Sequence, residues 1–334
     1  MYRLSEGVFH ALSHIQSLSK MMHTIILNRL LQMVPVMIGI SLITFAVISL
    51  SPGDPAEITL RATLGTESPP KEAIARLHEE MGLDDPWYIS YMKWASRVLH
   101  GNLGYSYQTK RSTIEEIAYA LPTTFELAFL SIIFSAATAI PLGILAALRQ
   151  NGPLDHLCRL SSIISLSSPE YFVAIVFMLV GGIYLGIFPV AGTGGIEYFI
   201  LPALTLSIGL SAVTMRIMRT SMIETLEQDY IRTARAKGLS RRIVIQRHAL
   251  KNALIPVLIY MGTQFGWLFG GAVIIESMFA LPGLGRLLVE SVSSMDIMVV
   301  QGCILTFAAI IVLINLGVDL AQLYLDPSIR DQGE

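Results

Sequence analysis

Charged side chains are scarce in this sequence: Lys, Arg, Asp and Glu make up only 14% of its 334 residues. Soluble domains carry about 25% charged residues, so the composition argues against an ordinary soluble protein. Six runs lack charge over roughly the 20 residues that a helix needs to cross a membrane. They are Leu30–Gly53, Leu127–Leu148, Tyr171–Ile196, Tyr198–Met215, Asn252–Ile275 and Ile297–Val318. We therefore predict an all-α polytopic membrane protein with six transmembrane helices.

Several site signatures are also missing. The two cysteines, Cys158 and Cys303, show no CxxC or Cys/His spacing, which argues against a disulfide framework and a metal site. The net charge of −2 provides no global basic field for nucleic acid. Long apolar runs are unlike the short alternating segments of a membrane β-barrel, and no GxxxxGK[ST] phosphate loop occurs. We expect no catalytic residue, no cofactor and no bound metal.

The distribution of basic residues predicts the orientation in the membrane. Lys and Arg are enriched in cytoplasmic loops, and with the N-terminus inside, 15 of the 23 basic residues fall on that side. The first apolar run is longer than a signal-peptide core, so we interpret it as a retained span. We expect a multi-pass protein of the cell (inner) membrane with both termini in the cytoplasm.

Five regions follow from these spans. Residues 1–29 form an N-terminal extension, 30–53 the first transmembrane helix, 54–121 an extracytoplasmic segment, 122–323 the transmembrane core, and 324–334 a cytoplasmic tail. In the extracytoplasmic segment, helix signals predict one helix between Ser68 and Gly82 and another over Trp87–Leu99. An apolar stretch over Leu160–Ser168 ends at Pro169, which predicts a broken or kinked third span.

The loop over residues 216–252 carries the strongest functional signal. We expect Asp229 to cap a helix over Tyr230–Lys237, Gly238 to end it in a left-handed conformation, and Ser240 to cap a second short helix. The first helix is predicted to expose Thr233, Ala234 and Lys237, which would let another protein approach the backbone closely. Alternatively, the nine basic residues of the loop only hold it inside and contact anionic membrane lipid.

The motifs of this loop resemble a known family. The segments Asp229-Tyr-Ile-Arg-Thr-Ala-Arg-Ala-Lys-Gly238 and His248-Ala-Leu-Lys-Asn-Ala-Leu-Ile-Pro256 resemble the EAA-type coupling loop of binding-protein-dependent ABC importer permeases, in the dipeptide, oligopeptide and nickel branch. Further matches include Ser51-Pro-Gly-Asp-Pro-Ala56, Leu121-Pro-Thr-Thr-Phe-Glu-Leu-Ala128 and Leu281-Pro-Gly-Leu-Gly-Arg286. The loop departs from the general pattern because Arg232 and Thr233 occupy its first two positions.

The resemblance implies an import pore without its own motor. The expected partners are a second homologous permease subunit, two cytoplasmic ATPase subunits and an extracytoplasmic substrate-binding protein. Coupling to the ATPase would involve Tyr230, Thr233, Ala234, Lys237 and Gly238. The favoured cargo is a di- or oligopeptide, and nickel or a metallophore is the alternative.

An ion-coupled secondary transporter is the alternative from another class. Such carriers commonly place ionisable residues inside the membrane, whereas Glu126, Glu276 and Asp319 flank the charge-free runs. Arg286 is the only basic residue of the loop that follows Glu276. We therefore predict that Arg286, or a group of the partner subunit, stabilises Glu276 and helps to close the external mouth; a purely structural pair is the other interpretation.

Overall fold

The computed structural model describes residues 26–27, 29, 31–46, 54–64, 66, 68–81 and 84–325. These residues form helices and connecting turns, and the described part of the chain contains no β-strand, only an isolated bridge between Tyr105 and Ser112. Most of the N-terminal extension, the end of the first predicted span, Gly82 and most of the C-terminal tail lie outside the described residues. The all-α class is confirmed.

Thirteen helices are described. They are α1 (Leu31–Ala46), α2 (Pro55–Leu64), α3 (Lys71–Met81), α4 (Trp87–Leu99), α5 (Thr113–Leu148), α6 (Pro153–Ser167), α7 (Glu170–Phe177), α8 (Glu197–Glu227), α9 (Asp229–Ala236), α10 (Arg241–Ile243), α11 (Leu250–Met278), α12 (Leu284–Ser293) and α13 (Ile297–Leu325). A π-helical turn over Met178–Tyr184 continues α7, and another over Val244–Ala249 joins α10 to α11.

Within the described residues, four continuous helices are long and apolar enough to cross a membrane: α5, α8, α10 together with α11, and α13. A fifth candidate is the pair formed by Pro153–Ser167 and Glu170–Tyr184, which is bent by 103°. The predicted break at Pro169 is thus confirmed. The shorter apolar helix α1 is the described part of the first predicted span, so the polytopic architecture is confirmed, although the exact count of six spans is not.

Small residues bring the central helices together. In α5, a Cβ at Gly143 would collide with the side chain of Met218 and the carbonyl of Met215 in α8. Nearer the start of both helices, the Thr138 hydroxyl lies 3.1 Å from that of Ser211. These contacts show that α5 and α8 run side by side in the same direction. The helix α11 also packs against α8, and it contacts α13 as well.

The helices α2, α3 and α4 lie at one end of the bundle, which we call the cap end. Both α3 and α4 begin as predicted, and α4 has the predicted bounds. Trp94 packs with Met298 and Leu305 of α13, while Ala56 and Leu77 pack with Ile297 at the start of α13. The loop helix α9 lies at the opposite end, which we call the loop end.

An ion cluster joins the segments of the cap. The two ring nitrogens of His78 lie 2.9 Å from Asp54 Oδ1 and 3.3 Å from Asp84 Oδ1. Burial lowers the pKa of His78, but the hydrogen bonds and charges of the two carboxylates act in the opposite direction, so its pKa is raised above 6.5. Two carboxylate partners favour the imidazolium form, in which both nitrogens donate.

Candidate functional site

The helix α9 has the predicted position, over Asp229–Ala236. Gln228, in extended conformation, occupies the capping position, so the predicted cap by Asp229 is wrong. Asp229 instead lies in the first turn, where its charge interacts favourably with the positive end of the helix dipole.

Gly238 ends α9 as predicted. Its φ is +78°, a conformation that costs residues with a Cβ about 1–2 kcal/mol. The Gly238 N–H donates to the Arg235 carbonyl, and the next N–H, of Leu239, donates to Ala234. This pair of bonds is a Schellman turn, which satisfies carbonyls at the helix end. The left-handed glycine thus sets the direction in which the chain leaves α9.

The two faces of α9 differ from the prediction at one residue. Thr233 and Lys237 are exposed as expected, and Tyr230 is exposed as well, but Ala234 is only 6% exposed, so its predicted exposure is wrong. Ala234 and Ile231 belong to an apolar cluster with Met218, Met222, Val244, Ala249, Ala253 and Val257. The small side chain at position 234 therefore lets α9 lie close to its own bundle, and Thr233 and Lys237 remain available to a partner.

The second predicted short helix does not exist as a separate element. Ser240 occupies the capping position, but its side chain makes no capping hydrogen bond. The helix that starts at Arg241 continues without interruption to Met278. No Gly or Pro occurs between Ser240 and Pro256 to end it. As a consequence, α9 is connected through one turn to a helix that runs to the cap end.

A buried ion pair at the loop end was not predicted from the sequence. Asp155 is fully buried, and both of its carboxylate oxygens accept hydrogen bonds from Arg219: Nε donates to Oδ1 at 2.6 Å and Nη2 to Oδ2 at 2.8 Å. In the sequence, Arg219 is only one of the nine basic residues of the loop over residues 216–252. The two partners are 64 positions apart, and no spacing rule pairs residues at that distance.

At the cap end, Glu276 is fully buried, and three donors reach its carboxylate. The Thr124 hydroxyl donates to Oε1 at 2.6 Å, and the N–H groups of Gly285 and Arg286 donate to Oε2 at 2.8 and 3.1 Å. Thr124 also accepts from the Leu284 N–H at 2.8 Å. We call these groups the carboxylate cluster; it joins α5, α11 and the start of α12.

The structure does not place the Arg286 side chain against Glu276, and the alternative partner, a group of the second subunit, stays a prediction. The Arg286 guanidinium bonds to Glu290 at 2.6 Å, one turn along α12. Arg286 meets Glu276 through its backbone N–H. The first turn of a helix has unpaired N–H groups and carries the positive end of the helix dipole, and both attract a carboxylate. A Cβ at Gly283 would collide with the Glu276 carboxylate, which would have to shift away from its donors.

The other two flanking carboxylates lie in different surroundings. Asp319, at the loop end of α13, pairs with Arg29 at 2.6 Å, whereas Glu126 is exposed. In the part of the chain that the structure describes, no three His, Cys, Asp or Glu side chains come together in a way that could hold a metal ion.

Comparison with known proteins decides the family. Residues 139–331 match the model of the binding-protein-dependent transport system inner membrane component, and residues 21–128 match the N-terminal model of the same kind of membrane component. The chain belongs to this family. The permease is therefore a multi-pass transport subunit, of a kind that works with ATPase and substrate-binding proteins, and the alternative of a secondary transporter is excluded.

Curated relatives resemble the permease over nearly their whole length. The glutathione transport system permease protein GsiC of Salmonella paratyphi A is 37% identical over 305 residues, which span 91% of this chain and 98% of the relative. The dipeptide transport system permease protein DppB of Alkalihalophilus pseudofirmus is also 37% identical, with the same two shares. GsiC of Escherichia coli K12 is 36% identical.

Solved structures support the fold. A chain of the MetNI methionine ABC transporter, in inward-facing conformations, matches the permease with a TM-score of 0.54 at 15% identity. The match covers 63% of this chain and 96% of that chain. At this level of identity, the likeness establishes the helical arrangement of an ABC transporter permease and nothing about its cargo.

Proposed function

We propose that this permease imports di- or oligopeptides, which an external binding protein delivers and which separate ATPase subunits drive across the membrane. The observation that carries the proposal is the two-faced helix α9, whose Ile231 and Ala234 are buried in the bundle while Thr233 and Lys237 are exposed. Its exposed side is the surface that an ATPase subunit would bind. A separate ATPase is needed because the sequence contains no phosphate loop of its own.

The cargo assignment draws on the curated relatives. Their names assign them glutathione and dipeptide transport, and glutathione is itself a small peptide. The relatives extend over 91% of the chain, so the similarity includes the cap, the carboxylate cluster and the loop helix. A peptide is therefore the substrate class that the comparisons favour, and no observation favours nickel or a metallophore.

We further propose that α9 lies in the cytoplasm and the cap outside, as the distribution of basic residues indicates. Closure of the ATPase dimer would displace α9, and the continuous helix from Arg241 to Met278 would carry this movement to Glu276 at the other end. The carboxylate cluster would hold α12 against α5 while the outer mouth is closed, and its opening would release the mouth.

Reconstitution tests the proposal. The permease is combined in proteoliposomes with a homologous second subunit, two ATPases and the cognate binding protein. We expect peptide-loaded binding protein to stimulate ATP hydrolysis and uptake of labelled peptide. Stimulation by nickel-loaded binding protein, with no response to any peptide, would contradict the peptide assignment, and uptake driven by an ion gradient without ATP would contradict the importer itself.

A further inference from the structure

We infer that Asp155 and Arg219 are positioning residues that join α8 to α6, so that movement of α9 reaches the bent pair α6–α7. This inference rests on the proposed function, because it concerns how movement of an ATPase is transmitted into the membrane. Neither residue belongs to α9 or to the carboxylate cluster.

The geometry of the ion pair fixes both the distance and the orientation between α8 and α6. Arg219 contacts both oxygens of Asp155, at 2.6 and 2.8 Å, and a planar bidentate pair fixes orientation as well as distance. A third donor, the Asn151 N–H, reaches Oδ2 at 2.9 Å. One carboxylate thus joins α8, the first turn of α6 and the turn between α5 and α6.

Burial makes these contacts hard to exchange for water. The Asp155 side chain is fully buried, and that of Arg219 is 18% exposed. If α8 rotated or slid against α6, the carboxylate would lose its partner in a site that water does not reach, which is costly for a charge. The two helices must therefore move together at this point.

Arg219 lies next to the residues that hold α9. Met218 and Met222 lie one helical turn apart on α8. Both are fully buried, in the apolar cluster that also contains Ile231 and Ala234. Arg219 lies on the adjacent flank of the same turn of α8 and points to α6. A displacement of α9 that pushes Met218 therefore also displaces the guanidinium and, through it, the start of α6.

Beyond the ion pair, α6 stays in contact with α8 until it bends. The Ser162 hydroxyl lies 3.3 Å from the Ala212 carbonyl, and the 103° bend follows at the end of α6. The next helix, α7, packs against α8 and α11. Since α6 is held at its start and the helix is interrupted before Pro169, movement of α6 would change the position of α7 between these two helices.

The experiment measures coupling rather than stability. Complexes are reconstituted with the wild-type permease, with the paired neutral variant Asp155→Asn/Arg219→Gln, and with Arg219→Lys. For each complex, peptide uptake per ATP hydrolysed is measured well below its unfolding temperature. A purely structural pair would lower the unfolding temperature and leave this ratio unchanged.

We expect the paired neutral variant to hydrolyse ATP but to transport at least about fivefold less peptide per ATP, the lower end of ordinary coupling between sites. Arg219→Lys, which keeps the charge but not the bidentate contact, should give an intermediate ratio. The matched control is Arg159→Gln, because Arg159 lies 3.6 Å from the same carboxylate and is 47% exposed. Its ratio should equal that of the wild type.

A wild-type ratio in the paired neutral variant would overturn the inference, as would an equal loss in Arg159→Gln. If the paired neutral variant does not assemble, Arg219→Lys decides, and a wild-type ratio there overturns the inference as well. A wild-type complex that transports no peptide would instead contradict the proposed function, so the two failures are distinguishable.

Discussion

At the scale of single residues, the carboxylate of Glu276 shows how a buried acidic group is accommodated with no basic partner among the described residues. Two backbone N–H groups at the start of α12 and the Thr124 hydroxyl donate to it, and hydrogen bonds to a charged group contribute about 1.5–3 kcal/mol. The residue type in the sequence indicated a costly charge near the end of a span. Its partners became evident only in the structure, because backbone donors carry no residue-specific signal.

Glu276→Gln tests whether the carboxylate cluster is a gate. The amide presents its NH₂ group to donors, so the contact with α12 should weaken and ATP hydrolysis without binding protein should rise severalfold. Glu290→Gln, which removes the exposed partner of the Arg286 guanidinium, is the control and should leave basal hydrolysis unchanged. An unchanged basal rate in a well-folded Glu276→Gln complex would leave the carboxylate only a structural role.

Gly238 provides a second test at this scale. Apart from its own chain neighbours, no described residue lies within 4 Å of a Cβ placed there, so a substitution is strained mainly through its positive φ. We expect the binding-protein-stimulated ATPase to decrease in the order Asn, Ala, Val at this position, because Asn tolerates the left-handed region best and a β-branched residue least. Equal activity of Gly238→Val and wild type would show that the direction of the chain after α9 is unimportant.

At the scale of elements, α9 shows where periodicity was sufficient and where it was not. The sequence predicted its start and end to within one residue, because Gly238 is a strong stop signal. Its predicted exposed side was right for Thr233 and Lys237 and wrong for Ala234, since α9 is too short for an apolar stripe and a small Ala is compatible with either side. Contact with Met218 and Met222 of α8 decided that Ala234 is buried.

Two substitutions on opposite faces of α9 should separate folding from docking. Ala234→Glu places a charge among apolar side chains and should lower the unfolding temperature of the permease itself. Thr233→Glu alters only the exposed face and should leave that temperature unchanged while it reduces binding of the ATPase subunits. Similar unfolding temperatures for both variants would contradict the orientation of α9.

The cap should respond to pH through His78. Since the raised pKa belongs to the folded cap, protonation of His78 stabilises it fully below about pH 6.5, the ordinary His value; this contribution is lost as the pH rises through the folded pKa. Hydrogen exchange over residues 54–81, corrected for intrinsic rates, should therefore show less protection at higher pH. His78→Gln should abolish this dependence, and a pH dependence retained in the variant would assign it to another group.

At the scale of the whole molecule, the chain is a permease with no nucleotide-binding motif in its sequence. The purified permease alone should neither bind nor hydrolyse ATP, whereas the assembled complex should do both. Calorimetry with ATP and a phosphate-release assay test this, with the complex as positive control. Steady hydrolysis by the isolated permease, free of contaminating ATPase, would contradict the division of labour between subunits.

The sequence alone was enough to predict the membrane class, most helix positions, the break at Pro169 and the resemblance that the family comparisons confirmed. These features depend on local signals: charge-free length, Pro and Gly positions, and contiguous motifs. The tertiary structure decided the burial of Ala234, the pairing of Asp155 with Arg219 and the donors around Glu276. Each depends on which helices pack together, and a single sequence does not encode that in any local pattern, because residues 64 or 152 positions apart meet only after the bundle has formed.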